Sequence, residues 1–296
     1  MADVLSLLPY YFISGILVGA IYGLATIGLT LIFGVLRVVN VGHGAYIMVG
    51  MYVAFWLFTL YKLNPFLTVI PAFIIGLALG MILFYTSLKR LLGAPELSTL
   101  IATFGFGVIL EESAKALWGA DYRGFIYDLG SLYIQGIPLP LIRVWPAVLA
   151  LVIVLGLYLL LYRTRVGTAV RAVIQSPEGA MVCGVNVERV YSLMVAIGIG
   201  LTTASGVLLA IYFQQGIHPY IGHLYTLRAF VIAVLGGLGS PIGAFVGGIL
   251  VGVIEQVSVP LLGLAGVPNP FGLSIFIVFT LILLTLLFKP TGLFGR

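Results

Sequence analysis

The chain has 296 residues, of which 61% are hydrophobic and 8% are charged, and its formal net charge is +5. A soluble domain carries about 25% charged residues, so this composition excludes a protein that stays dissolved in water. The 14 basic residues are scattered between apolar runs, which excludes a nucleic-acid-binding protein, and the single Cys183 excludes an internal disulfide or a cysteine metal cluster.

The apolar runs predict membrane-spanning helices. Several of them reach about 18 residues, the length that crosses the ~30 Å hydrocarbon core, and continuous runs are typical of helices rather than of a β-barrel. We predict an all-α polytopic membrane protein with about eight transmembrane helices in a single domain, residues 1–296. No basic segment or cleavage site marks the start, so we expect the first span to be retained. The predicted spans are 9–35, 43–61, 66–87, 97–118, 145–162, 191–213 and 271–288, with a Gly-rich apolar block at 227–258.

A polar interruption separates the first two spans. The stretch FGVLRVVNVGHGAYIMVG places Arg37, Asn40, Gly42, His43 and Gly44 between two apolar runs. Unwound backbone at membrane depth is tolerated only where protein or a water-filled cavity covers it. Two hypotheses stay open for Asn40 and His43: they cap a helix and satisfy backbone groups, or they line and gate a translocation path.

Charges within the spans are few, and the sequence predicts that they reach an interface. Glu111 and Glu112 lie towards the end of the fourth span, where Lys115 is three or four residues away and favours a local ion pair. A polar path lining is the alternative. We expect the Glu255 side chain to reach the outer membrane interface. We also expect the long Arg228 side chain to extend its guanidinium group to an interface.

The stretch QSPEGAMVCG (175–184) has the residue order of a capped short helix. Ser176 is a good N-cap, Pro177 suits the first helical position, and Glu178 lies where a helix dipole favours negative charge. Gly184 suits the position after the helix end. An apolar patch follows the cap (Ala180, Met181, Val182 and Cys183). We predict a helix that either lies on lipid or presents a knob to a soluble partner.

The Gly-rich block at 227–258 is predicted to be two helices with a bend at LGGLGSPIG. Five residues supply the break (Gly236, Gly237, Gly239, Pro241 and Gly243). One long tilted span is the alternative. Small residues four apart predict close packing within the subunit, or else against a partner subunit (Gly239, Gly243 and Gly247, then Gly248 and Gly252). Breaks near residues 40 and 238 also indicate a transport path.

Basic residues predict the orientation, because they favour cytoplasmic loops. They mark 88–96, 163–190 and the C-terminus as cytoplasmic (Lys89, Arg90, Arg163, Arg165, Arg171, Arg189, Lys289 and Arg296). Counting the spans from these loops places the N-terminus and the 119–144 loop outside.

The sequence contains no recognisable enzyme motif. His43, His218 and His223 lack metal-ligand spacing with acidic residues, and GGLGSPIG has no phosphate-binding Lys. We therefore expect no catalytic residue, no metal and no cofactor.

Four stretches together resemble a known family. EGAMVCG (178–184) resembles the E-A-A-x-x-x-G loop of ABC importer permeases, with Gly179 in place of the first Ala. The segments 28–52, 228–255 and 289–295 are similar to the N-terminal signature, the Gly-rich signature and the usual ending of branched-chain amino-acid (LIV-type) permeases. The fit is best to the shorter, LivH-like subunit.

This resemblance implies an ABC importer permease fold and a multi-subunit importer in a bacterial inner membrane. Its partners would be a homologous second permease subunit, two cytoplasmic ABC ATPases, an extracytoplasmic solute-binding protein and membrane lipid. The solute would be a branched-chain or other neutral amino acid, urea, an amide or a carboxylate.

The resemblance also implies roles for particular residues. The coupling helix to the ATPase would comprise Ser176, Pro177, Glu178, Gly179, Ala180 and Gly184. Path and hinge residues would be Asn40, Gly42, His43, Gly44, Gly236, Gly237 and Gly239.

Two other classes of function remain open on the sequence alone. A stand-alone secondary carrier or facilitator would need no ATPase, and a membrane scaffold would need no path.

Overall fold

The computed structural model describes residues 7–134 and 137–295. The expectation that the first span is retained depends in part on residues 1–6, which lie outside the described residues, as does the cytoplasmic marker Arg296.

The described residues form eleven helices and one β-hairpin. The helices are α1 (Leu8–Leu36), α2 (His43–Tyr61), α3 (Pro65–Leu91), α4 (Glu96–Trp118), α5 (Leu141–Arg163), α6 (Arg165–Gln175), α7 (Pro177–Val182), α8 (Val187–Phe213), α9 (Ile221–Gly236), α10 (Pro241–Leu264) and α11 (Pro270–Phe288). The strands β1 (Ser131–Ile134) and β2 (Ile137–Pro140) pair antiparallel, with Ser131 opposite Pro140. Eight of the helices are long and apolar enough to cross a membrane, and α9 is a shorter apolar helix. The predicted polytopic all-α fold is confirmed.

Local capping fixes where several helices begin. The side chains of Asn186, Ser240 and Asn269 accept hydrogen bonds from backbone N–H groups three residues ahead, at the starts of α8, α10 and α11. Pro241 and Pro270 then occupy the first helical position, where the missing N–H costs nothing.

The bundle has two ends that differ in charge. One end, here called the hairpin end, carries β1, β2 and the segments 119–130 and 214–220. The opposite end, the basic end, carries 88–96, 163–190 and 289–295. Eight described Lys and Arg residues lie at or near the basic end (Arg37, Lys89, Arg90, Arg163, Arg165, Arg171, Arg189 and Lys289), against four near the hairpin end (Lys62, Lys115, Arg123 and Arg143).

The centre of the bundle consists of α1 and α8, most of whose residues are buried. Glycines bring α10 against α1 at backbone distance. A Cβ placed on Gly19 would lie 2.6 Å from the Cα of Ile249, and Gly252 faces Gly15 and Gly19 in the same way. The predicted close packing of the small-residue stripe therefore occurs within the chain, where it gains dispersion contacts along two helices.

The Gly-rich block consists of two helices, so the alternative of one long tilted span is wrong. α9 runs from the hairpin end to the basic end, the chain turns at 237–240, and α10 returns. Gly237 (φ +101°) and Gly239 (φ +86°) make this turn in a backbone region that other residues adopt only with strain. α10 is longer than predicted and ends at Leu264, so it spans the bundle fully.

Candidate coupling and translocation sites

The predicted short helix in the 163–190 segment is present as α7. The Ser176 hydroxyl accepts a hydrogen bond from the N–H of Gly179 at 3.0 Å, and Pro177 begins the helix. After the helix, Gly184 has φ +81°, and the Val185 N–H donates to the carbonyl of Ala180 at 2.9 Å. The cap signals in the sequence predict this helix because each acts within a few residues.

The apolar patch predicted on α7 is divided between two faces, which corrects the expectation of one surface. Ala180 is 4% exposed and packs into the protein, whereas Met181 and Val182 are 55% and 89% exposed. Four consecutive residues go most of the way around a helix, so one of them turns towards the protein. The outward surface is therefore smaller and consists of Met181, Val182 and the exposed Cys183, here called the α7 tip.

The segments that flank α7 are fixed to membrane spans by a hydrogen bond and an ion pair. The helix α6, which the sequence analysis did not predict, precedes α7, and its Arg171 donates to the carbonyl of Leu161 at the end of α5. Lys89 of α3 lies 2.6 Å from Glu188 at the start of α8. α7 therefore lies between two segments that are each held to a span, α6 to α5 and the start of α8 to α3.

The interruption between α1 and α2 is buried, and threonines from other helices satisfy its backbone. The N–H of Val41 donates to Thr103 of α4 at 3.2 Å, and the N–H of Gly44 donates to Thr226 of α9 at 2.8 Å. Asn40 and His43 are fully buried, and neither caps α2. The part of the hypothesis in which these two side chains cap α2 is therefore wrong.

Asn40 and His43 instead present polar atoms to the interior. The Asn40 amide lies beside the Tyr46 hydroxyl, and the His43 ring faces the backbone of Ala25. Within the described part of the chain, none of these side-chain polar atoms has a well-formed hydrogen bond. Buried polar groups are normally paired, so this cluster is an unusual feature that a packing role does not explain.

A groove of about 270 Å³ begins at this interruption and runs between α4 and α9. We call it the break groove. Gly42 and Gly107 approach closely at its base, where a Cβ on Gly107 would lie 2.8 Å from the Cα of Gly42. Glu111, His223 and Thr226 also line it, so the groove is apolar with a few polar groups.

Glu111 pairs across helices rather than along α4, which corrects part of the prediction. Its carboxylate lies 3.2 Å from Nε2 of His223 on α9. The predicted local pair with Lys115 is made by Glu112 alone, at 3.5 Å, and Glu112 also accepts a hydrogen bond from Tyr220 at 2.8 Å. Helical spacing predicts ion-pair partners only within one helix. It does not indicate that a residue of α9 lies beside Glu111.

Arg228 and Glu255 do not reach an interface, and that expectation is wrong. Nε of Arg228 donates to Glu255 at 2.8 Å, and the two side chains are only 11% and 7% exposed. The turn at 237–240 makes α9 and α10 antiparallel, which brings residues that are far apart in sequence into contact. Removal of one partner from such a buried pair costs about 3–5 kcal/mol, so this contact holds α9 and α10 together.

The chain's own C-terminal segment covers the glycine turn. The N–H groups of Leu293 and Phe294 donate to the carbonyls of Leu235 and Gly236 at 2.8 and 3.0 Å. A Cβ on Gly237 would overlap the backbone of Gly295. The predicted hinge glycines Gly236, Gly237 and Gly239 are thus positions of close backbone approach. Residues 7–134 and 137–295 contain no cluster of His, Cys, Asp or Glu that could hold a metal ion.

The known proteins that this chain resembles are permease components of transport systems. The family model for the permease component of branched-chain amino acid transport systems matches residues 11–287. The chain is 30% identical to the high-affinity branched-chain amino acid transport system permease protein BraD of Pseudomonas aeruginosa, over 96% of this chain and 94% of that protein. It is 29% identical to the corresponding LivH protein of Salmonella typhimurium, with the same coverage. The autoinducer 2 import system permease protein LsrD of Escherichia coli is 29% identical over 69% of this chain and 60% of LsrD. No solved structure matches the chain.

Proposed function

The chain belongs to the family of permease components of branched-chain amino acid transport systems, and we propose that it is the membrane subunit of an ATP-driven importer for branched-chain or other neutral amino acids. The observation that carries this proposal is the family match over residues 11–287. The match includes all the predicted spans apart from residues 9, 10 and 288. Related small polar solutes such as urea, amides and carboxylates are the alternatives within the same class.

The proposed assembly contains a homologous second permease subunit, two cytoplasmic ATPases and an extracytoplasmic solute-binding protein. The exposed α7 tip supports an ATPase contact, because Met181 and Val182 are apolar side chains that protrude from a polar segment. The outer helices α3, α4, α5 and α11 expose large apolar side chains, which suits contact with lipid and with the second permease subunit.

The mechanism we infer is alternating access driven from the basic end. ATP binding closes the ATPases and moves α7, and α6 with Arg171 passes this motion to α5 while α8 moves from its other side. α8 packs against α2, where Gly50 lies against the backbone of Thr203 and Gly206. The interruption at 37–42 then shifts with α2, and Asn40 and His43 supply polar groups to the passing solute.

In the orientation that we propose, the basic end faces the cytoplasm and the N-terminus lies outside. We expect Cys183, the one cysteine of the chain, to react with a membrane-impermeant maleimide in inside-out vesicles washed free of peripheral proteins. It should stay unlabelled in right-side-out vesicles. Leu132→Cys in a Cys183→Ser background should show the opposite pattern, since residue 132 is exposed on the hairpin end. A reversal of both patterns would refute the orientation.

Uptake by cells tests the transport activity and its solute. A strain that lacks this chain is expected to lose high-affinity uptake of labelled leucine, isoleucine or valine and to regain it when the gene is returned. The same cells should be assayed with urea and short amides. Unchanged uptake of every one of these solutes in the deletion strain would contradict the proposal.

A further inference from the structure

A large cavity, separate from the break groove, opens at the hairpin end. Its volume is about 1020 Å³, and its walls come from α2, α9, α11 and the segments 122–126 and 213–216. We call it the hairpin-end cavity. Two arginines, Arg123 and Arg228, line it among aromatic and aliphatic side chains.

The charged residues that line the hairpin-end cavity in the described part of the chain are both arginines. No Asp or Glu is among its lining residues in the described part of the chain. Glu255, the partner of Arg228, lies behind the wall on α10 and is buried. Only Nε of Arg228 is used in that pair, and the terminal amino groups make no further hydrogen bond to described residues. They are therefore available to an acceptor in the cavity.

Both guanidinium groups are held in place by aromatic rings. Arg228 lies 5.3 Å from the ring centre of Tyr22, 5.5 Å from that of Tyr225 and 5.8 Å from that of Phe271. Arg123 lies over the ring of Trp56 at 5.2 Å and donates to the carbonyl of Trp118. Side chains restrained in this way lose little conformational entropy when they bind an anion.

We propose that the hairpin-end cavity is a binding site for the carboxylate of a solute whose remaining part is apolar. A guanidinium matches the planar carboxylate in geometry and charge, and Met51, Phe125 and Leu224 provide an apolar wall for the rest of the molecule. The site rests on the proposed transport function and deepens it, because it places carboxylate selection in the permease as well as in a binding protein. The two arginines, with no acidic residue among the described lining residues, favour a carboxylate over an ammonium group.

Three related probes test this site directly. They are leucine, isocaproate (leucine without its ammonium group) and leucinamide (leucine with its carboxylate replaced by an amide). Binding is measured by saturation-transfer NMR on the complete permease–ATPase complex in nanodiscs, with the solute-binding protein left out. We expect leucine and isocaproate to bind and leucinamide to bind at least about tenfold more weakly, since it lacks the charged acceptor.

A matched pair of variants separates the effect of charge on binding from the effect of side-chain size. Leu224 lines the cavity and is half-buried, and Leu224→Asp and Leu224→Asn introduce side chains of nearly equal size. The added carboxylate should repel the probes, so Leu224→Asp is expected to bind leucine and isocaproate about tenfold more weakly than Leu224→Asn. Arg143→Gln is a further control, because Arg143 lies near the same end but contacts Tyr10 and Tyr212 instead of the cavity.

The outcomes distinguish this site from the transport function. Equal binding of leucine and leucinamide, equal affinities of the two Leu224 variants, or no binding of any probe would each overturn the site. ATP-driven uptake by the same complex, measured with its binding protein added, reports on the proposed function separately.

Discussion

The double substitution Met181→Glu and Val182→Glu is expected to abolish ATP-driven uptake while the chain still folds and inserts. Both side chains are exposed, so their replacement removes no internal packing. In the proposed complex they lie against the ATPase, where two unpaired carboxylates would lose their hydration at a cost of several kcal/mol. The ATPase subunits should therefore no longer co-purify with the permease.

The control for this experiment is Leu92→Glu, which adds one carboxylate, against two in the double substitution, to another exposed apolar residue of the basic end. We expect its complex to be recovered intact and to transport normally. Membrane insertion of all variants is checked by the yield of monodisperse protein in detergent. Normal ATPase recovery and normal uptake in the Met181→Glu, Val182→Glu variant would show that the α7 tip is not the coupling contact.

The substitution Gly237→Ala is expected to lower both thermal stability and uptake. A residue with a Cβ is strained at φ +101° and ψ +116°, at a cost of about 1–3 kcal/mol. The new methyl group would also displace the backbone of Gly295 and with it the hydrogen bonds of Leu293 and Phe294. Each of those bonds contributes about 0.5–1.5 kcal/mol, so the total loss should exceed about 2 kcal/mol.

Gly156→Ala is the matched control for Gly237→Ala. Gly156 lies within α5, and a Cβ at this position meets no atom within 4 Å. Alanine should stabilise the helix there by up to about 1 kcal/mol. Unfolding of the purified complex is followed by fluorescence-detected gel filtration after heating. Equal melting temperatures for the two variants would show that the glycine turn tolerates a side chain.

Features that depend on neighbouring residues were predictable from the sequence. The spans follow from runs of apolar residues, and α7 follows from Ser176 and Pro177, because a cap acts within three residues. The bend at 237–240 follows from glycines and a proline for the same local reason.

Features that depend on contacts between distant residues were not predictable in this way. Nothing local indicates that Arg228 and Glu255 meet, since their pairing requires α9 and α10 to lie antiparallel. The same holds for Thr103 and Thr226, which satisfy the backbone of the α1–α2 interruption and leave Asn40 and His43 without that role. The helix α6 is hard to predict because its polar face resembles a loop in composition, although buried Val170 and Val173 mark its inner side.

ATP-driven transport is tested most directly by uptake into proteoliposomes that contain the purified complex. Labelled leucine and the solute-binding protein are placed outside the vesicles. We predict that leucine accumulates only when ATP is present at the face bearing α7, and that the permease subunits without the ATPases accumulate none. Accumulation by the permease alone, or without ATP, would identify a stand-alone carrier and contradict the proposed ATP-driven coupling.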